Sequence, residues 1–155
     1  MPADSEPATG LPALPRTWRP LGPRVVGIVV TFALVAVVAA GWLSFDEQTR
    51  SEFTFFQRVT LVGFGLLYLA LMYALVRCRA VAYADRLVVV NGYVRHEFEW
   101  PQIVAARLPP GAPWVTLDLA DGETASVMGI QGSDGARART ALRELKALVE
   151  AASAP

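Results

Sequence analysis

The sequence predicts a two-helix transmembrane hairpin, followed by a small barrel or curved antiparallel sheet that a C-terminal helix caps. Three observations predict this mainly β soluble part behind a membrane anchor. Two runs without a charged residue, 25–43 and 59–76, dominate the first half of the chain. From residue 79 short apolar runs alternate with turn signals, and after residue 133 the apolar residues recur with a helical period.

Residues 1–24, which precede the first apolar run, are rich in proline. Prolines occupy six positions there, namely Pro2, Pro7, Pro12, Pro15, Pro20 and Pro23. This spacing is incompatible with a regular helix or strand, since proline fixes φ and lacks an N–H. We therefore expect residues 1–24 to be a disordered tail, and a polyproline ligand for an aromatic groove is the alternative.

The two apolar runs are long enough to span a bilayer. At about 1.5 Å of rise per residue, each reaches roughly 28 Å, close to the ~30 Å hydrocarbon thickness. Core helices of a soluble bundle are one alternative, and a cleaved signal peptide is another for the first run. That run is longer than a usual signal core, and a second apolar run follows it. Residues 25–43 and 59–76 are therefore predicted to be transmembrane helices.

Arginines flank the outer ends of both runs. They are Arg16, Arg19 and Arg24 before the first run and Arg77, Arg79, Arg86 and Arg95 after the second. Between the runs Arg50 and Arg58 are mixed with acidic residues. The positive-inside rule then predicts a multi-pass protein of the inner cell membrane with both termini cytoplasmic and residues 44–58 as a short external loop.

The apolar runs contain small residues but no ionisable ones. The absence of Asp, Glu, Lys, Arg and His argues against an ion pathway or a proton relay. Small residues recur at helical spacing, at Ala33, Ala36 and Ala40 and at Gly63, Ala70 and Ala74. Such rows predict close packing of the hairpin on itself, with dimerisation through the same faces as the alternative.

Six strands in a meander are predicted in the soluble half. They are residues 80–84, 87–90, 93–98, 103–108, 114–120 and 124–128. Asn91-Gly92 is a hairpin signal because both residues tolerate positive φ, and Asp121-Gly122 predicts another turn. The proline-rich segment 109–113 ends a strand.

One amphipathic helix closes the chain. Ser133 or Asp134 is expected to cap it, and it should run to about Ala151. Its apolar stripe contains Ala138, Ala141, Leu142, Leu145, Leu148 and Val149. Capping the open end or face of the barrel would bury that stripe.

The composition argues against several functions. A formal net charge of zero gives no support to nucleic-acid binding. The single cysteine, Cys78, excludes an internal disulfide and a multi-cysteine metal site. The single histidine, His96, lies mid-strand, where a solvent-facing position is expected, and no Gly-x-Ser-x-Gly elbow accompanies it. We expect no catalytic residue, no metal and no cofactor.

Four residues are candidates for interaction. Trp100 and Trp114 stand at predicted strand ends, where each could anchor a partner peptide or plug the barrel. Arg137 and Arg139 follow the glycine-containing loop 129–135. That loop can cap the helix or offer free N–H groups to a phosphate, although Asp134 would repel the phosphate.

Several motifs in combination resemble a known family. They are Asp85-Arg86-Leu87, Asn91-Gly92, Glu99-Trp100-Pro101-Gln102-Ile103, Asp121-Gly122 and the run 129–134 before an arginine-rich helix. The segment from about 77 to 149 is similar to the bacterial pleckstrin-homology-like (PH-like) domains of actinobacteria, a group that includes a low-molecular-weight mycobacterial secreted antigen. Pro101 departs from the polar residue expected after the tryptophan.

The resemblance implies a PH-like barrel, here residues 77–152, on the cytoplasmic side of a membrane anchor. Members of this group often carry two transmembrane helices ahead of the domain. The family supplies no catalytic residues to carry over and has no known molecular function. We expect a non-enzymatic module that binds a protein partner or forms a homo-oligomer, with an anionic lipid or phosphate-ligand sensor as the alternative.

Overall fold

The computed structural model of the protein describes residues 11–154, which form two compact units. One unit contains residues 21–77. The other joins residues 11–20 to residues 78–154. The helical unit is therefore an insertion in the chain of the second unit.

The helical unit contains two long helices and one short helix. They are α1, Gly22–Ser44, α2, Glu47–Glu52, and α3, Phe55–Arg77. The mean hydropathy of the most apolar windows of α1 and α3 is 2.5 and 2.2, and none of either window is buried. By length and composition both helices can cross a membrane, and both extend beyond the uncharged runs that predicted them.

Helices α1 and α3 meet through a face that the small-residue rows did not predict. The Thr31 hydroxyl lies 3.1 Å from the Tyr68 hydroxyl, and it donates to the Gly27 carbonyl at 2.7 Å. Ala33, Ala36, Ala40, Gly63 and Ala70 are exposed, so the prediction that these rows pack the hairpin is wrong for them. Hydroxyl groups away from water need a partner, and that requirement favours the Thr31 face.

The second unit is a two-sheet β structure with one helix. Its strands are β1, Arg16–Trp18, β2, Arg79–Ala82, β3, Arg86–Asn91, β4, Val94–Glu99, β5, Ile103–Arg107, β6, Trp114–Leu119, and β7, Thr124–Gln131, and its helix is α4, Ala136–Ser153. Sheet A has the order β1-β2-β3-β4 and sheet B the order β5-β6-β7, and all pairs are antiparallel. The expected β meander followed by a C-terminal helix is confirmed, with β1 as an additional strand.

Strand β1 corrects the expectation for the N-terminal segment. Trp18 faces Ala80 and Arg16 faces Ala82 in the β1–β2 pair. The prediction that the proline spacing permits no strand is wrong for Arg16–Trp18, because Pro15 and Pro20 flank the strand and do not interrupt it. The part of the predicted tail from residue 1 to 10 lies outside the described residues.

The apolar core fills the space between the two sheets and α4. Leu87, Val89, Leu117 and Val127 are fully buried there. On α4 the predicted stripe is confirmed, with Ala138, Ala141, Leu145, Leu148 and Val149 buried and Leu142 packed against the cluster. Trp100 belongs to the same cluster, and its indole N–H donates to the Tyr83 carbonyl at 3.0 Å.

Asn91 connects the two sheets. Its side-chain amide donates to the Ser126 carbonyl at 2.7 Å and accepts from the Met128 N–H at 3.0 Å. Asn91 is the last residue of β3, and only Gly92 of the predicted Asn-Gly turn has a positive φ, at 61°. The turn therefore consists of Gly92 and Tyr93, which leaves the asparagine side chain for β7.

The start of α4 also differs from the prediction. The N-cap residue is Gly135, with a φ of 57°, and it makes no side-chain cap. Ser133 and Asp134, the expected caps, lie in the preceding 3-10 turn, Gly132–Asp134. Glycine replaces a side-chain cap here because the chain enters the helix through a conformation that other residues rarely adopt.

Replacement of Trp100 by alanine tests the packing of the core. The 5% exposed indole fills space between η1 (Trp100–Gln102), the sheets and α4, so we expect Trp100→Ala to lower the free energy of unfolding by about 3–5 kcal/mol. Trp100→Phe keeps most of the ring volume and loses the bond to Tyr83, and should cost less. Thermal melting of the full chain in detergent, followed by near-UV circular dichroism, measures both. Equal melting of wild type and Trp100→Ala would contradict the buried role.

Candidate functional site

The structure does not bring the four candidate interaction residues together. Trp100 is buried in the core, and Trp114 is half-buried at the start of β6. Arg137 lines a cavity beside β1, whereas Arg139 lines a different cavity beside the loop 108–113. The two arginines therefore face different surroundings, although only one residue separates them.

The first cavity lies between β1, the end of β7 and the first turns of α4. Its volume is about 500 Å³. Its polar lining includes Arg16, Arg19, Gln131, Asp134, Arg137 and Thr140. Glu144 lies on the same wall as a second carboxylate. The cavity is thus lined by both signs of charge, with one more cation than anions among these residues.

Glu144 uses its carboxylate to hold β1 against α4. Arg16 donates to both carboxylate oxygens, at 2.9 and 2.8 Å, and the Trp18 indole N–H donates at 2.8 Å. A two-point contact between guanidinium and carboxylate fixes geometry as well as charge. Since Arg16 is paired in this way, Arg19 and Arg137 are the cations of the cavity that an outside anion could meet.

The first turn of α4 adds backbone donors to this cavity. Ala136, Arg137 and Ala138 all line it, and Gly135 supplies no side-chain acceptor to their N–H groups. A helix N-terminus carries a positive partial charge and can receive an anion. Asp134 lines the cavity too and opposes such a ligand.

The second cavity has a volume of about 550 Å³ beside the proline-rich loop. The Gly132 N–H donates to the Pro113 carbonyl at 2.9 Å. A Cβ at Gly132 would lie 2.5 Å from the Ala112 carbonyl oxygen, so this loop and the turn before α4 are in close backbone contact. Arg139 is the one charged side chain in the lining that the structure describes.

Strand β4 is the most exposed regular element of the β unit. It pairs with β3 alone, at one end of sheet A, and Val94, Arg95, His96, Glu97 and Glu99 are all exposed. The sequence predicts this strand but not its free edge. The one indication of an exposed edge in the sequence is the mixture of both charges with few apolar residues over 94–99.

His96 offers no catalytic arrangement with its neighbours. It is exposed on β4, as predicted, and its ring stacks on Phe98 with centroids 6.0 Å apart. Among residues 11–154, no three His, Cys, Asp or Glu side chains are grouped so that they could hold a metal ion. Cys78 is buried, and its sulfur accepts from the Gly92 N–H at 3.3 Å.

Comparison with known proteins shows what the β unit is similar to. Residues 77–148 match the family model described as Bacterial PH domain. The chain is also similar to uncharacterised proteins of Mycobacterium tuberculosis and Mycobacterium bovis, each 27% identical over 132 residues, which is 85% of this chain and 84% of the relative. No solved structure matches the chain significantly.

Substitution of Glu144 tests how β1 is held. Glu144→Gln removes the charge from a carboxylate that takes three hydrogen bonds, and we expect a loss of about 1–3 kcal/mol in the stability of the β1–β2 pair. Amide hydrogen exchange at residues 16–18 and 79–82 measures it. Glu150→Gln, an exposed change on the same helix, is the control. Unchanged protection of Trp18 in Glu144→Gln would contradict the clamp.

Proposed function

We propose that this chain, whose residues 77–148 are a bacterial PH-like domain, holds that domain at the cytoplasmic face of the inner membrane to dock another protein chain. The docking element in this proposal is the free edge of β4. The two apolar helices serve as the anchor. The proposed activity is binding, without chemical conversion of a ligand.

The carrying observation is the open edge of β4. The hairpin pairs Asn91 with Val94 across a two-residue turn, and such a closing pair exchanges hydrogen bonds. Hydrogen bonds to β3 then involve every second residue of β4, so the backbone N–H and C=O groups of Val94, His96 and Phe98 point toward β3. Arg95 and Glu97 direct theirs outward, away from every other described strand.

An outward row of backbone donors and acceptors is a template for strand addition. An extended segment of another chain can pair with it through main-chain bonds, while alternate side chains provide specificity. The template is short, because the Glu99 N–H is taken by the Gln102 side chain at 2.8 Å. A partner would therefore pair mainly along residues 94–98.

The pairing of β1 with β2 supports the proposed topology. Strand β1 precedes the first apolar helix and β2 follows the second, so both flanks of the hairpin belong to one sheet. If α1 and α3 span the membrane, both flanks are on the same side of it. The arginine excess on these flanks favours the cytoplasmic side.

The arginines of the connection have local partners that account for them. Arg50 donates to the carbonyls of Phe45 and Leu43, at 2.9 and 3.2 Å, at the C-terminal end of α1. Arg58 donates to the Phe53 carbonyl at 3.1 Å and lies 5.8 Å from the centre of the Trp42 ring. These contacts cap backbone carbonyls, which is a structural reason for arginine on the external side.

PH-like domains are generally not enzymes, which supports a binding role. The second candidate function is a sensor of anionic lipid headgroups or phosphate ligands. It is favoured by one observation, the presence of Arg19, Arg137 and the uncapped start of α4 around the same cavity. Asp134 on the same wall makes this the second choice.

Proline at position 97 tests docking through β4. Glu97→Pro removes an outward N–H without removing a β3–β4 bond, so the fold should persist, with melting within a few degrees of wild type. We expect chains that co-purify with the full-length protein from native membranes, second copies included, to be lost. Glu97→Ala removes the carboxylate but keeps the N–H, and should lose much less binding than Glu97→Pro.

An unchanged set of partners in folded Glu97→Pro would contradict docking through β4. Arg137→Gln distinguishes the proposed lipid sensor from the proposed docking of a protein. A sensor of anionic headgroups would lose binding to a soluble inositol phosphate in Arg137→Gln and keep it in Glu97→Pro.

Reporter fusions test the topology. Alkaline phosphatase is active only outside the cytoplasm, so a fusion after Ser153 should be inactive and an insertion near Arg50 should be active. Enzyme activity in bacterial cells measures both, normalised to protein level. The reverse pattern would contradict the cytoplasmic position of the PH-like domain.

A further inference from the structure

We infer that the chain docked on β4 is a second copy of this protein, paired antiparallel through β4 about a two-fold axis at His96. This inference rests on the proposed function, since it names the partner for the same edge. It predicts a continuous eight-stranded sheet made of sheet A from both copies.

The backbone limits the possible pairings. In an antiparallel ladder the residues that exchange hydrogen bonds face each other, so outward-directed residues of one copy must face outward-directed residues of the other. On β4 these are Arg95 and Glu97, given the pairing with β3. A two-fold axis must then pass through a residue and not between two residues. Near the middle of the strand, Arg95, His96 and Glu97 are the possible centres.

The charges of Arg95 and Glu97 distinguish the three possible positions of the axis. An axis at Arg95 places that arginine opposite itself, and an axis at Glu97 places that carboxylate opposite itself. An axis at His96 places Arg95 opposite Glu97 of the second copy, and does so twice. Opposite charges directly across a pair stabilise it and like charges destabilise it, so the His96 axis is preferred.

The other face of the strand is complementary in the same arrangement. Val94, which is 54% exposed, would face Phe98 of the second copy, and Phe98 is half-buried at the edge of the core. The two His96 rings would be neighbours in a non-hydrogen-bonded pair. The order apolar, basic, histidine, acidic, apolar over 94–98 is therefore complementary to itself when reversed.

This self-complementarity favours a second copy over an unrelated chain. Each outward and each apolar residue of the segment finds a matching residue in the same five positions. Within the single copy Glu97 is contacted by both Arg95 and Arg86, so pairing adds an arginine of the second copy to a carboxylate already in a basic setting.

Cysteine cross-linking tests the arrangement in the full chain. In a non-hydrogen-bonded antiparallel pair the Cα atoms are about 4.5 Å apart, within the range of a disulfide. His96→Cys should therefore form a disulfide dimer in oxidised membrane vesicles. Val94→Cys, also at an exposed position, should stay monomeric, because an offset of four residues separates its two copies by roughly 13 Å along the strands. Wild type, with buried Cys78 alone, is the background control.

Charge exchange gives an independent readout. Arg95→Glu and Glu97→Arg each create two like-charge pairs across the axis, and each should weaken self-association by about tenfold. The double variant restores opposite charges and should recover most of the wild-type dimer. Single-molecule photobleaching in lipid vesicles at defined protein density measures the dimer fraction.

Failure of the inference differs from failure of the proposed function. Monomeric His96→Cys, or a double variant as weak as the single ones, overturns the second copy as partner. Docking through β4 survives that result if Glu97→Pro still loses a different protein. Equal cross-linking of Val94→Cys and His96→Cys also overturns the His96 axis.

Discussion

The pairing of β1 with β2 is the constraint on which the rest of the molecule depends. Three residues, Arg16–Trp18, complete sheet A from the far side of a 57-residue insertion, residues 21–77. Trp18 brings a buried indole into the core, and Glu144 binds both Arg16 and Trp18. The β unit is therefore discontinuous in sequence, and the apolar helical hairpin occupies the β1–β2 connection. The family match over 77–148 covers β2 to β7 and most of α4, and it leaves out β1.

This connectivity relates the apolar helices to the two ends of sheet A. The two flanks of the hairpin, β1 and β2, are held together by their antiparallel pairing in sheet A. One end of the sheet is thus occupied by β1 and its clamp to α4. The other end is β4, which pairs with β3 only among the described strands and is exposed and charged over residues 94–99. The first cavity and the free edge therefore lie at opposite ends of the same sheet, and they serve different candidate ligands.

Local periodicity predicted most of the fold, since each element from β2 to α4 carries its own alternation or stripe. Three features needed information from distant residues. Strand β1 is short and flanked by prolines, so only its pairing with β2 identifies it. The sequence predicts Asn91 in a turn, because its bonds to β7 involve residues more than 30 positions away. The Thr31–Tyr68 contact between α1 and α3 is not predicted by the small-residue rows for a similar reason. It joins two hydroxyl groups that are far apart in the sequence. Among the interaction candidates, the burial of Trp100 and the separation of Arg137 from Arg139 depend on how α4 packs against the two sheets. The free edge of β4 follows from the strand order of sheet A.

The most direct test joins the two parts of the β unit without the hairpin. One polypeptide links residues 11–20 to residues 78–154 through a short glycine-serine loop, and another contains residues 78–154 alone. The account predicts one cooperative melting transition and protected amides at 79–82 for the linked polypeptide. For the shorter one it predicts a melting temperature lower by at least about 5 °C, because Trp18 and the Glu144 clamp are missing. Equal melting temperatures and equal protection of β2 in the two polypeptides would contradict a domain completed by β1.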